Sequence, residues 1–262
     1  MKQRIITGIV LLLVLLPCVY FGELPFQILI SIVTGAAVFE VLSICDRPKA
    51  NIYLYPLLGI FVFYSLFVEN GLLISPEIII LYLIVLLACS MFDDGMNFMR
   101  VCYYFLSGVL IAMGFHLLYI LRISYGFEYI LLLALATFGT DTGAYFTGLK
   151  FGKHKLNPRL SPKKTIEGSI GGMILGTVIS SAYGAYIHIG EIPLFLLIVS
   201  CFVLTITSQI GDLTFSSMKR TFEVKDFSQL LPGHGGILDR FDSILFNAMV
   251  FGLLLHFIAM VV

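Results

Sequence analysis

Residues 192–242 read IPLFLLIVSCFVLTITSQIGDLTFSSMKRTFEVKDFSQLLPGHGGILDRFD, and the change of character partway along decides the fold. The first 19 positions carry no charge, and a helix needs about 20 such residues to cross the hydrocarbon of a bilayer. The next 32 positions, 211–242, hold nine charged residues and a glycine-rich turn, after which apolar sequence resumes at Ser243. A segment so charged between two apolar runs belongs in water at a membrane surface.

The same alternation extends through the chain. Hydrophobic residues make up 59% and charged residues 12% of it, and the mean hydropathy is +1.00, whereas soluble domains carry about 25% charged residues. Apolar stretches at 5–21, 24–44, 52–68, 72–89, 101–121, 128–149, 169–188, 192–210 and 243–262 predict an all-α, polytopic integral membrane protein of about nine transmembrane helices. With nine spans, 15 of the 16 Lys and Arg residues fall on one side and only Arg122 on the other. By the positive-inside rule that side is cytoplasmic, which places the N-terminus and both long charged loops in the cytoplasm and the C-terminus outside.

Lys2 and Arg4 ahead of an apolar run imitate a secretory signal, but no small-x-small cleavage site follows, so a retained first span is expected. The five cysteines show no paired spacing, and neither a disulfide framework nor a zinc site is expected.

The chain is expected to divide into N-terminal transmembrane helices, 1–122, and a C-terminal transmembrane catalytic region, 123–262, with cytoplasmic loops 150–168 and 211–242. The first part offers short connections, such as the solvated one at Asp93 and Asp94, and no active site. Gly168, Gly172 and Gly176 recur every four residues in the seventh span, a smooth face for close helix packing within the subunit. A homodimer through that face is the open alternative.

Polar residues then mark the candidate chemistry. Asp141 lies roughly 12 Å inside the sixth span at 1.5 Å per residue, where insertion of an Asp costs about 2.5–3.5 kcal/mol and functional use is the default reading. The loop 150–168 sets Lys150, Lys153, Lys155, Arg159, Lys163 and Lys164 against one acid, Glu167. Within it, Ser161, Lys163, Lys164 and Thr165 combine hydroxyl and ammonium donors that suit a polyphosphate, and Thr165 is placed to cap the seventh helix.

If the eighth helix continues past Asp212, then Asp212, Ser216, Lys219 and Glu223 share a face. Asp239 and Asp242 share the first turn of the ninth. Two carboxylates about 4 Å apart repel by about 4 kcal/mol at an effective dielectric of 20. Convergence of Asp212, Asp239 and Asp242 therefore calls for a cation, and hard oxygen ligands beside phosphate favour Mg²⁺. Residues 232–236 form a turn running toward a helix N-terminus, a geometry that can offer N–H groups to an anion. No Gly-Lys-Ser/Thr follows, which excludes the usual P-loop.

These residues together resemble the phosphatidate cytidylyltransferases, the CDP-diacylglycerol synthases. The family signature is carried by Ser216, Met218, Lys219, Arg220, Lys225, Asp226, Ser228, Leu231, Pro232, His234, Gly235, Gly236, Ile237, Asp239, Arg240, Phe241 and Asp242, and the similarity extends over about 137–245. The resemblance implies transfer of CMP from CTP to phosphatidic acid, giving CDP-diacylglycerol and pyrophosphate, at a site facing the cytoplasm in a bacterial inner membrane. Mg²⁺ is implied as one or two divalent cations, with a second, monovalent ion left open, and no nucleic acid partner is expected.

The metal is assigned to Asp212, Asp239 and Asp242, with Asp141 as a further acid beneath them. Ser161, Lys163 and Lys164 are assigned to the CTP phosphates, and Ser216, Ser217, Gly235, Gly236 and Arg240 to substrate. Lys219, Arg220, Lys225 and His234 are expected to neutralise pyrophosphate or the lipid headgroup, and Asp226 to orient Lys225 or Arg240. Two rival readings remain at this stage. A CTP-dependent polyprenol or lipid-alcohol kinase would release CDP, and an anion or proton-coupled transporter would move solute without nucleotide turnover.

Overall fold

The structure, a computed structural model, describes residues 2–45, 51–68 and 71–261, and the side chains of these other than 2–6, 191 and 259–261. Arg47 and Lys49, counted above among the cytoplasmic cations, lie outside the described residues. Nine α-helices are present among the described residues: α1 Lys2–Phe21, α2 Glu23–Cys45, α3 Leu54–Phe67, α4 Pro76–Phe92, α5 Phe98–Ile120, α6 Phe127–Phe151, α7 Ile166–Tyr186, α8 Leu194–Thr221 and α9 Leu238–Val261. Five helical segments are long and apolar enough to cross a membrane: Glu23–Cys45, Phe98–Tyr125, Phe127–Phe151, Leu194–Thr221 and Leu238–Ile258. Thr7–Phe21, Leu54–Phe67 and Pro76–Phe92 are shorter apolar helices.

The departure from an all-α fold is a small antiparallel hairpin, β1 Lys155–Asn157 and β2 Ser161–Thr165, inside the basic loop. Backbone outside a helix still needs hydrogen-bond partners, and pairing the two arms of the loop supplies them. Asn157 Oδ1 accepts from Leu160 N at 3.2 Å to tighten the turn.

Two compact units make up the chain, Met1–Ile123 with Asp226–Asp239, and Ser124–Lys225 with Arg240–Val262. The loop 211–242, which sequence assigns whole to the C-terminal region, is thus divided, and 226–239 packs with the N-terminal helices.

In the first unit α5 packs against α2, α3 and α4, around fully buried Leu58, Val62, Ile111, Ala112 and Phe115. Gly108 makes room for Tyr82, whose hydroxyl donates to Tyr104 O at 2.9 Å while its ring stacks on Phe61 at 4.0 Å between centroids. The α3 and α5 ends are tied by Asp93, which accepts from Asn51 Nδ2 at 2.5 Å, Tyr53 Oη at 2.6 Å and Gly95 N at 2.8 Å. That connection, expected to be merely solvated, is a built one. The Tyr53 hydroxyl, followed by the Gly95 N–H, holds the Asp93 carboxyl below its ordinary range. After α5 a single π-helical turn, Leu121–Tyr125, aims Arg122 at the end of α1, where it donates to Val19 O and, at 2.7 Å, to Tyr20 O. A cation on the last carbonyls of a helix both satisfies them and opposes the helix dipole. Gly22, at φ 69°, leaves the space the guanidinium fills.

In the second unit α6 and α7 approach most closely through small residues. Gly168, Gly172 and Gly176 are buried, and a Cβ added at each would stand 2.7 Å from Ala144 O, 2.6 Å from Thr140 O and 3.0 Å from Ala136 O. The stripe is therefore used within the chain, against α6. Farther along, Thr207 Oγ1 donates to Asn247 Oδ1 at 2.7 Å and Asn247 Nδ2 to Thr137 Oγ1 at 2.8 Å, joining α8, α9 and α6 through polar groups that hydrocarbon would leave unsatisfied.

Candidate active site

A cavity of about 450 Å³ opens in the second unit where α6, the hairpin, α7 and α8 meet. Its walls bring together Asp141 of α6, Lys163 and Lys164 of β2, Ser169 of α7 and Gln209 of α8. Each is positioned by a local device. Asp141 stands ten residues before the end of α6, about 15 Å along the helix. The threonines beside it do not satisfy it: Thr137 and Thr140 donate to their own helix at Leu133 O and Ala136 O, 2.9 and 2.7 Å away. Asp141 lines the cavity.

The hairpin holds its lysines in place from its base. Thr165 Oγ1 accepts from Gly168 N at 3.1 Å as the cap of α7, as the sequence predicts. Ile166 N donates to His154 O at 2.9 Å. Glu167, the lone acid of this loop, accepts from Lys153 N at 3.1 Å, His154 N at 3.2 Å and His154 Nδ1 at 2.6 Å. Its own backbone N–H, the His154 imidazole and the Lys153 N–H together hold its carboxyl down at about 2. Glu167 thus organises the loop instead of neutralising Lys163 and Lys164.

Helix α8 runs on to Thr221, eleven residues beyond the predicted span, and carries Asp212, Ser216, Ser217, Lys219 and Arg220 with it. Asp212 Oδ2 pairs with Lys164 Nζ. Asp242 of α9 is buried, with Oδ1 accepting from Ser243 N at 2.7 Å, and Lys219 is buried as well. Asp212, Lys219 and Asp141 act on Asp242 electrostatically, and Lys164 and Asp212 act on Asp141. Three carboxylates from three helices therefore share one field with two ammonium groups. Glu223, expected on the same face, falls past the helix end at φ 56°, and Arg220 turns back to donate to Val224 O at 2.8 Å.

Among the described residues no three acidic, imidazole or thiol groups form a ready-made cage for an ion. Mg²⁺ is commonly held by one or two carboxylates with substrate phosphate and water completing its shell. Asp212 and Asp242, with Asp141 close enough to feel both, are the donors this unit offers.

The remaining signature residues are organised in the first unit. Pro232 and Gly233 form a tight turn closed by His234 N to Leu231 O at 2.8 Å, with Gly233 at φ 77°, the conformation a type II turn demands of its third residue. Asp239 Oδ2 accepts from Phe227 N at 2.9 Å and Gly236 N at 2.8 Å. Glu40 of α2 accepts from Ser228 Oγ, Ile237 N and Leu238 N at 2.6, 2.7 and 2.8 Å. Gly235 N donates to Leu231 O. The N–H groups from His234 to Leu238, predicted as an anion cradle, are therefore taken up by the chain itself. Asp239, predicted as a metal ligand, spends one oxygen on that loop. Asp226 flanks Gly235 and the His234 ring approaches Gly8 of α1, while Lys225 and Arg240, which belong to the second unit, are exposed.

Glu40 is the residue the sequence reading passed over. The signal was present: an ionisable group inside a predicted span, near its end, the kind of residue that singled out Asp141. Burying such a group costs several kcal/mol, and three hydrogen bonds to a charged acceptor, about 1.5–3 kcal/mol each, are of the size needed to offset it.

A profile of the Cytidylyltransferase family matches residues 2–258 of the chain. The phosphatidate cytidylyltransferase of Bacillus subtilis (strain 168) is 37% identical over 256 residues, 94% of each chain. Those of Staphylococcus saprophyticus and Staphylococcus aureus (strain COL) are each 35% identical over 260 residues, 97% of this chain and 99% of theirs.

Proposed function

The chain belongs to the Cytidylyltransferase family, and on that premise we propose that it transfers CMP from CTP to phosphatidic acid, forming CDP-diacylglycerol and pyrophosphate in phospholipid biosynthesis. The observation that carries this reading is the cavity whose wall sets Lys163 and Lys164 of the hairpin beside Asp141 of α6, with Lys164 also paired to Asp212 of α8. A basic wall and an acidic floor are what a reaction between two phosphates needs.

In the reaction a lipid phosphate oxygen bonds to the α-phosphorus of CTP and the bond to the β-phosphate oxygen breaks. A phosphate monoester has its second pKa near 6, so the nucleophile is already a dianion at neutral pH and no side chain has to remove a proton. The work left to the protein is countercharge and alignment. Lys163 and Lys164 lie in the cavity wall to draw the triphosphate in. Binding of that triphosphate gives Lys164 a second anionic partner and loosens its hold on Asp212. Lys219, buried near Asp242, balances that carboxylate and the negative charge arriving with the leaving pyrophosphate. Asp212 and Asp242, with Asp141, would hold Mg²⁺, which supplies countercharge to both phosphates when bound. Arg220, Lys225 and Arg240 stay at the surface side for the headgroup and pyrophosphate.

The finer topology belongs to the same reading: nine crossings of a bacterial cytoplasmic membrane, N-terminus and active site on the cytoplasmic side, supported by the one-sided distribution of Lys and Arg. The deciding experiment uses purified protein in mixed micelles with phosphatidate, Mg²⁺ and CTP labelled in the cytidine. Label is expected in the lipid phase, with pyrophosphate released in equal amount. Labelled CDP in water and none in lipid would replace the transferase with a lipid-alcohol kinase.

A further inference from the structure

Glu40 takes no part in the reaction as set out above, yet its surroundings are closely specified. It has no exposed surface and lies 188 to 198 residues from the groups it binds. Oε1 accepts from Ser228 Oγ at 2.6 Å and Ile237 N at 2.7 Å, and Oε2 accepts from Leu238 N at 2.8 Å. Both N–H groups can only donate, so the site requires an acceptor on each arm, which a carboxylate supplies and an amide does not. The loop is shaped to match: a Cβ at Gly236 would stand 2.6 Å from Oε1 and 2.8 Å from Oε2. Asp239 Oδ2 takes the neighbouring Gly236 N at 2.8 Å. Three successive N–H groups at the entry to α9 are thus clamped by two carboxylates, one from α9 itself and one from α2.

We propose that Glu40 is a positioning residue for the transfer reaction: it fixes where α9 begins, and through that helix the placement of Asp242, four residues along from Leu238. This inference rests on the function proposed above. Because Lys163 and Lys164 belong to the hairpin, displacement of the α9 start changes the rate of the bound complex more than capture of CTP.

The test compares wild type, Glu40→Gln, Ser228→Ala and the double variant in micelles, with kcat expressed per monodisperse protein. Glu40→Gln is expected to lower kcat about 10- to 100-fold, the scale of a small misplacement of reacting groups, with KM for CTP changed by no more than about twofold. Ser228→Ala, which leaves both backbone bonds, lowers kcat about two- to fivefold, and the double variant matches Glu40→Gln because the two act as one unit. Amide exchange at Ile237 and Leu238 without substrate speeds up in Glu40→Gln, a readout independent of turnover. Folded Glu40→Gln with wild-type kcat overturns the proposal, as does a rise in KM for CTP that accounts for the whole loss. Should Glu40→Gln fail to fold, Ser228→Ala decides, and wild-type kcat there overturns it equally. Absence of labelled lipid from the wild-type enzyme sinks the function reading itself, and the proposal with it, whatever the variants do.

Discussion

Asp242 and Lys164 illustrate how two charges in one field are given different tasks. Asp242 is buried and feels Asp212, Lys219 and Asp141, so replacing it removes an acidic oxygen donor from a place water does not refill. Asp242→Asn is expected to lower kcat by on the order of 100-fold, the usual size for a lost electrostatic contact at a reacting centre. Lys164 is already paired with Asp212 and, on the proposed reading, would share itself with the triphosphate. Lys164→Ala is expected to raise KM for CTP about tenfold with a smaller effect on kcat, which initial-rate kinetics on the two variants will separate. Asp141, Lys163 and Lys164, which line one cavity, were legible as candidates because their cost or density is written locally, in an acid within a span and cations around a hydroxyl. Glu40 and the occupation of Asp239 were not, because each depends on partners that only the folded chain brings near. The glycine turn shows the same limit. Its shape follows from Pro232 and Gly233, but which groups its N–H donors meet depends on α2.

Among the elements, the pairing of α6 with α7 and the basic hairpin invite direct tests. A Cβ at Gly172 would meet Thr140 O at 2.6 Å, a backbone atom that cannot step aside. Gly172→Ala is therefore expected to destabilise the protein by about 1–3 kcal/mol, as overpacking does. Gly59 of α3 has nothing within 4 Å of its would-be Cβ, and Gly59→Ala should be neutral or stabilising by up to about 1 kcal/mol. Thermal unfolding in detergent distinguishes the two. In the hairpin, Glu167 has its carboxyl lowered to about 2 by its own N–H, His154 and Lys153. A depressed carboxyl contributes order above its unfolded pKa and loses it as pH falls through the folded one, so the clamp should hold above about pH 4.5 and fail on the way to about pH 2. Amide exchange at Lys153 and His154, followed from pH 6 downward after correction for intrinsic rates, checks this, and Glu167→Gln should lack the transition. The helices were legible from apolar run length. The hairpin was not, since a run of lysines and prolines signals a loop and its pairing depends on the junction at Glu167.

For the whole molecule, the proposed orientation rests on charge distribution. Single cysteines at Lys163 and at Ile123, introduced after the five native cysteines are replaced, are expected to label from opposite faces. Lys163→Cys should react with an impermeant maleimide only after the membrane is opened, and Ile123→Cys in intact cells. Labelling of both from the same face would remove the nine-span reading. The composition, though decisive for the class of protein, said nothing of how the chain is partitioned into two compact units. Hydropathy is read along the sequence, while the units are assembled from segments far apart in it.

That partition has a consequence for synthesis. Glu40 leaves the ribosome 188 residues before Ser228, which at 5–20 residues per second is roughly 10–40 s. During that interval the N-terminal helices carry a carboxylate whose native partners have yet to be translated. The first unit to enter the membrane is thus among the last to be finished, and the nascent chain must keep a vacancy beside α2 open for a segment still to come. Quality control that samples partly inserted chains would meet that exposed acid first.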